Sequence, residues 1–126
     1  MKNKYLLIII MALLVIVLLG GCDLFGFGSK LAPPDWIIGT WRDEYNLHTW
    51  VFTTDNAVYT VISVSIDFKE IAKEKDVNVT DESTASTYKL TLEESGVGLN
   101  YEFVKSTSTT LDYFVFAGFS IVLTKQ

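Results

Sequence analysis

Through its second half the chain alternates apolar and polar residues. In Thr87-Tyr88-Lys89-Leu90-Thr91-Leu92-Glu93, Tyr88, Leu90 and Leu92 fall on one side and the remaining residues on the other. That is the period of a strand with one wet face. Leu99–Lys105 alternates in the same way, and Thr110–Phe116 and Phe119–Lys125 follow after the turn signals Ser106-Thr107-Ser108 and Ala117-Gly118. Four strands joined by short turns predict an antiparallel meander. Upstream, His48–Thr53 and Ala57–Val64 are β-forming runs on either side of the turn signal Thr54-Asp55-Asn56, and Trp36–Asp43 opens the domain. One segment breaks the period. Asp67–Lys75 consists of helix formers, with Phe68, Ile71 and Ala72 on one face and Asp67 and Glu70 at capping-box spacing. It predicts a helix of about two turns, and the polar stretch Thr80–Ser86 predicts a loop. The fold class is therefore all-β: a small antiparallel up-and-down barrel of seven or eight strands with one short inserted helix.

The hydrophobic pattern at the amino terminus is of another kind. Lys2 and Lys4 precede an unbroken apolar run, Leu6–Leu19, and Gly20, Gly21 and Cys22 follow. A basic start, an apolar centre and small residues at the end make a secretory signal. The run is shorter than the about 20 residues a membrane span requires; Tyr5, Gly20 and Gly21 bring it near the lower limit, so an uncleaved anchor stands as the alternative. Leu19-Gly20-Gly21-Cys22 resembles a bacterial lipobox. The resemblance implies that the Cys22 thiol takes a diacylglyceryl group, that the chain is cut before it, and that the new amino terminus is acylated. It implies a lipoprotein of the cell envelope, lipid-anchored to a membrane with its domain outside the cytoplasm. Asp23 resembles the inner-membrane retention signal of enteric lipoproteins, a rule that not all bacteria follow, which leaves inner and outer membrane both open. The chain then divides into a signal peptide at 1–21, the lipidated cysteine with a flexible tether at 22–35, and a barrel domain at 36–126. Glycines loosen the tether and Pro33-Pro34 stiffens its end. Its Leu24, Phe25 and Phe27 have two readings, as residues that dip into the lipid interface or as residues that dock on the domain.

Gly39-Thr40-Trp41 resembles the Gly-x-Trp signature on the first strand of lipocalins and related small barrels, and Thr110-Leu111-Asp112-Tyr113 loosely resembles their second signature, Thr-Asp-Tyr. The resemblance implies a lipocalin-like barrel in which Trp41 plugs the closed end. Three departures accompany it, the first being that the chain is short for a lipocalin. The late-strand arginine that covers this tryptophan in lipocalins has no counterpart near Val122-Leu123-Thr124-Lys125, and the carboxy-terminal helix is absent.

Charge and composition narrow the function. The chain carries a net −5, and removal of Lys2 and Lys4 makes the mature part more acidic still. No basic stripe remains, which argues against nucleic acid and against electrostatic capture by anionic lipid. Membrane attachment falls to Cys22, the one cysteine, which leaves no disulfide, thiol nucleophile or thiolate metal site. Catalytic and metal-ligating patterns are missing as well. His48 is the one histidine, Asp43-Glu44 and Glu93-Glu94 are strand neighbours that point to opposite faces, and Gly96-Val97-Gly98 lacks the context of a phosphate loop. The expectation is a non-enzymatic binding module without metal or cofactor, and no residue stands out as ligand-binding.

Aromatic residues are the remaining resource. Alternation points Trp50, Phe52, Tyr88, Leu90, Leu92, Tyr101, Phe103, Leu111, Tyr113, Ile121 and Leu123 inward, enough bulk to fill most of so small a barrel. Phe114 and Phe116 fall on the opposite face, with two readings: the short helix covers them, which is the expectation, or they stand exposed on the last hairpin as a contact patch. Two function classes follow. One holds a small apolar ligand, near the open rim rather than deep inside. The other is a structural or interaction lipoprotein with a side-chain-filled barrel that meets an envelope or host protein.

Overall fold

The computed structural model describes residues 30–116 and 118–126. The signal sequence, Cys22 and the tether up to residue 29 lie outside the described residues. The chain forms β1 (Gly39–Arg42), β2 (His48–Phe52), β3 (Ala57–Val61), β4 (Val64–Asp67), α1 (Phe68–Ile71), β5 (Val77–Ser83), β6 (Thr87–Glu94), β7 (Val97–Lys105), β8 (Thr110–Phe116) and β9 (Phe119–Lys125). The strands make one sheet in the order β4-β3-β2-β1-β9-β8-β7-β6-β5, with every hydrogen-bonded pair antiparallel.

The sheet has nine strands, not seven or eight, for two local reasons. Ala57–Val64 is not one strand. It folds back at Ile62-Ser63, and Val61 pairs with Val64 across a two-residue hairpin. The segment expected to be a loop supplies β5, whose Val77–Ser83 pairs with Tyr88–Glu94 throughout. The polar composition of Asn78–Ser83 hid a strand whose inward positions are Val77, Val79 and Asp81 and whose outer face is wet.

Parity explains the helix. Nine strands in antiparallel sequence leave the two edge strands, β4 and β5, running in the same direction. The chain must therefore return along the molecule between them, and residues 68–76 make that crossing as α1 and a following turn. α1 is a single turn rather than two. Its Asp67 cap accepts from the amides of Lys69 and Glu70, each at 3.1 Å. Asn56 from the β2–β3 turn clips the same end, donating to Asp67 Oδ1 at 2.9 Å and accepting from the Lys69 amide at 3.0 Å. Phe68 is fully buried against Trp50 and Tyr101, so the helix closes the seam between the edges. It therefore does not cover Phe114 and Phe116. Phe114 is half-buried and Phe116 stands in solvent.

The sheet curls into a half-barrel because its two arms share one core. Trp50 of β2 lies 4.8 Å from Phe103 of β7 and 5.4 Å from Tyr113 of β8, ring centre to ring centre. It also stacks on Tyr59 at 4.3 Å and Phe52 at 5.6 Å. Edge-to-face and offset contacts of this kind add about 0.5–1.5 kcal/mol each beyond area burial. The eleven residues that alternation points inward are all buried or half-buried. The Trp50 Nε1 proton finds no oxygen partner there; it sits among ring edges and faces, where an aromatic face is a weak acceptor.

Candidate binding site at the open end

Alternating strand directions put the hairpin turns at two ends. The β2–β3, β5–β6 and β7–β8 turns share one end with the segment that leads into β1. The β1–β2, β3–β4, β6–β7 and β8–β9 turns share the other, and the Ile62 amide donates to the Leu47 carbonyl at 2.9 Å between two of them.

The first end is closed. Leu31 and Ile37 are buried, so the chain upstream of β1 packs onto the barrel from residue 31. The Ala32 amide donates to Asp81 Oδ2 at 2.8 Å, the same oxygen that takes the Tyr88 hydroxyl at 3.0 Å. Trp36 Nε1 reaches the Thr84 carbonyl at 3.2 Å. Trp41 is buried and donates Nε1 to the Ile37 carbonyl at 2.7 Å. The Lys125 ammonium lies 5.5 Å over its ring, a cation from the last strand where no arginine was available. Gly39 completes the arrangement. Its φ is +132°, and a Cβ there would stand 2.9 Å from Lys125 Cε. The backbone conformation favours glycine at this position of the Gly-Thr-Trp motif, and a side chain would in addition displace the end of Lys125.

The opposite end is open and apolar. Among the described residues, every exposed large apolar side chain lies on or beside these four turns, apart from Val122 in mid-strand. Tyr45 and Leu47 come from the β1–β2 loop, Ile62 and Val64 from the β3–β4 hairpin, Val97 and Leu99 from the β6–β7 hairpin. Val115, Phe116 and Phe119 come from the β8–β9 hairpin. A bulge at Phe114/Phe116 brings Phe116 opposite Phe119, and the two rings stack at 5.3 Å. A soluble surface rarely concentrates such residues without a use for them. Sequence reasoning offered an exposed Phe116 on the last hairpin as one of two readings and missed the other three hairpins of this end. The available signal was apolar residues at turn positions, Ile62 above all, where polar ones are the rule.

Below the rim, a polar layer lies above the aromatic core. His48 Nδ1 and the Tyr59 hydroxyl share a 2.6 Å hydrogen bond, and their rings stack. The Tyr113 hydroxyl faces that of Tyr59. Burial raises the phenol pKa of Tyr59, Tyr101 and Tyr113 above the usual value, so these groups stay protonated well into the alkaline range. Asp43, the buried carboxylate of the domain, is consumed by its own loop. It accepts the His48 amide at 2.7 Å and the Tyr45 amide at 3.3 Å.

Four clefts of the described surface are open to solvent. The widest, about 660 Å³, lies between the β1–β2 loop and β9, lined by Arg42–Asn46 and by Ile121, Val122, Thr124 and Gln126. A second, about 380 Å³, runs along the inner side of the β6–β7 tip past Leu92, Val97 and Leu99. None of these clefts is lined by Trp50, Phe103 or Tyr113, because rings occupy the interior. Among the described residues no group of three or more His, Cys, Asp or Glu is placed to hold a metal ion. Cys22, the expected lipidation site, lies outside the described residues. Comparison with protein-family models, with curated proteins and with solved structures finds no match.

Proposed function

We propose that this chain is a membrane-anchored bacterial lipoprotein of the cell envelope that works by binding at the open end of its half-barrel, as an interaction module without a catalytic step. The observation that carries the reading is the contrast between a ring-filled interior and an apolar rim confined to one end. A deep ligand needs a cavity of about 300 Å³ or more inside the barrel, and Trp50, Phe52, Phe103 and Tyr113 take up that space. The rim offers apolar surface on four separate hairpins to a partner from outside. The anchor fits this arrangement. The chain enters the domain at the closed end, so a lipid on Cys22 would hold that end to the membrane and leave the rim projecting away from it. The closed end, with Gly39, Trp41 and Lys125, supports a lipocalin-like reading of the barrel.

Two measurements test the proposal. Cys22→Ser should leave an unprocessed precursor that takes up no labelled fatty acid; normal cleavage and labelling would remove the anchor. Native mass spectrometry of the gently purified protein should show no apolar molecule at near-stoichiometric amount. Hydrophobic fluorescent probes should bind weakly and lose that binding in Phe116→Ser with Phe119→Ser. A stoichiometric lipid in the spectrum would replace the interaction reading with ligand transport or storage.

A further inference from the structure

We propose that the apolar rim receives a cationic amphipathic segment of a partner protein, in which lysine or arginine flanks apolar side chains. The inference rests on the reading of the open end as a binding end and adds the chemistry of what binds there. The central residue is Glu94. Alternation along β6 turns Tyr88, Leu90 and Leu92 inward, and Glu94 continues that row past the last buried residue. Its cross-strand partners are Val77 of β5 and Val97 of β7. The 380 Å³ cleft at this tip is lined by Leu92, Val97 and Leu99 together with Glu94 and Ser95. Glu94 is exposed and forms no ion pair among the described residues. A carboxylate beside an apolar cleft suits a side chain with a methylene stem and a cationic head.

The charge around the rim has one dominant sign. The turn into β5 carries Glu74, Lys75 and Asp76, and Glu93 stands next to Glu94. On the other arm Asp43 and Glu44 follow Arg42. Arg42 alternates with the buried Trp41 and so belongs to the outer face of β1, while Asp43 is already committed to the amides of Tyr45 and His48. Glu44 is exposed beside Tyr45 in the 660 Å³ cleft. The ion pairs among the described residues, Lys69–Asp55, Lys73–Glu70 and Lys89–Glu82, use none of these carboxylates.

Complementarity then decides between occupants. A second copy presenting the same rim, or a membrane of anionic lipid, would bring like charge against like. An uncharged apolar partner would leave the carboxylates without a counter-charge at the border of the contact. Lysine or arginine beside apolar side chains answers both parts of the surface: the apolar residues meet Ile62, Val97, Leu99 and the Phe116–Phe119 stack, and the cations meet Glu94 and its acidic neighbours.

The test uses the full chain in phosphatidylcholine nanodiscs, with empty nanodiscs as the blank, and three fluorescent peptides, acetyl-Xaa-Leu-Ser-Phe-Xaa-Leu-Ser-Phe-Xaa-amide with Xaa as Lys, Gln or Glu. By anisotropy the Lys peptide should bind about tenfold tighter than the Gln peptide, and the Glu peptide weakest of all. Salt at about 1 M should remove most of that difference. Glu94→Gln should do the same, and Glu94→Lys should turn the preference toward the Glu peptide. Glu102→Gln, an equal change of net charge on the outer face of β7, should leave the preference intact. Equal binding of the three peptides, no binding at all, or a Glu102→Gln chain that loses the preference as fully as Glu94→Gln would overturn the proposal. Phe116→Ser with Phe119→Ser separates that failure from failure of the rim, since it should weaken all three peptides together. Equal binding that the double variant weakens would leave the rim in place and remove the cationic partner. Full binding and full Lys preference in the double variant would remove both.

Discussion

The two ends of the half-barrel solve the same problem, turning a strand, by different chemistry. At the closed end the turns are held by their own side chains. Thr84 Oγ1 accepts the amides of Ser86 and Thr87, and Thr107 Oγ1 accepts those of Thr109 and Thr110. In each case the two threonine hydroxyls also bond one another, at 2.7 and 2.6 Å. One Thr-x-x-Thr device is used twice. At the open end Asp43 holds the β1–β2 loop in a similar way, but the other turns rely on backbone conformation. Among the described residues, those other than glycine with positive φ, namely Asn46 (+54°), Ile62 (+57°), Asp76 (+65°) and Ser95 (+51°), all lie there. Such conformations are uncommon outside glycine and unfavourable for a β-branched residue. One end is thus relaxed, polar and packed. The other combines strained backbone with exposed apolar side chains, a pairing that stability alone does not favour and that accords with a binding role.

This contrast can be broken most sharply at Trp41. Truncation to alanine should destabilise the domain by about 3–5 kcal/mol in denaturant melts, because a buried aromatic, its indole hydrogen bond and the Lys125 contact go together. A loss near zero would mean that the closed end is not a structural plug.

Alkaline pH probes the interior that joins the two ends. Tyr59, Tyr88, Tyr101 and Tyr113 all have pKa values raised, burial being the first cause in each. Tyrosines in the unfolded chain ionise near the ordinary value of about 10. The stabilising contribution is therefore fully present below about pH 10 and declines as pH rises through and beyond it. Melts between pH 8 and 12 should show that decline, and tyrosinate absorbance should rise for these phenols only with unfolding. Titration of all tyrosines near pH 10 in the folded protein would contradict the filled core.

Gly39→Ala should cost about 1–3 kcal/mol, since the substitution combines a strained φ with a Cβ against the Lys125 side chain. Lys125→Ala in the same background should recover the steric part of the loss and leave the backbone part. The smallest effect, and one of opposite sign, belongs to the open end. Ile62→Gly should stabilise the domain by about 1 kcal/mol by relieving the left-handed conformation, and it should weaken hydrophobic probe binding. A destabilised Ile62→Gly protein would show that the side chain is held by the fold rather than displayed by it.

Much of this architecture is legible in the chain alone. Period-two alternation marked β6 to β9, and it pointed inward every residue that the core contains from those strands, because burial of one face forces the pattern. The Asp67 cap was visible because its geometry is local. The Gly-Thr-Trp motif marked a tryptophan that is buried, though not the Lys125 side chain that lies over it, since that contact joins the first strand to the last. The strand count, the crossover and the open end were decided by tertiary structure. An Ile-Ser pair carries no turn signature, so the β3–β4 hairpin forms because both arms find inward partners. The polar β5 is a strand because β6 offers it a ladder. Which apolar residues end in the core and which in solvent depends on where the strands outrun the aromatic centre, and a linear pattern cannot hold that three-dimensional boundary.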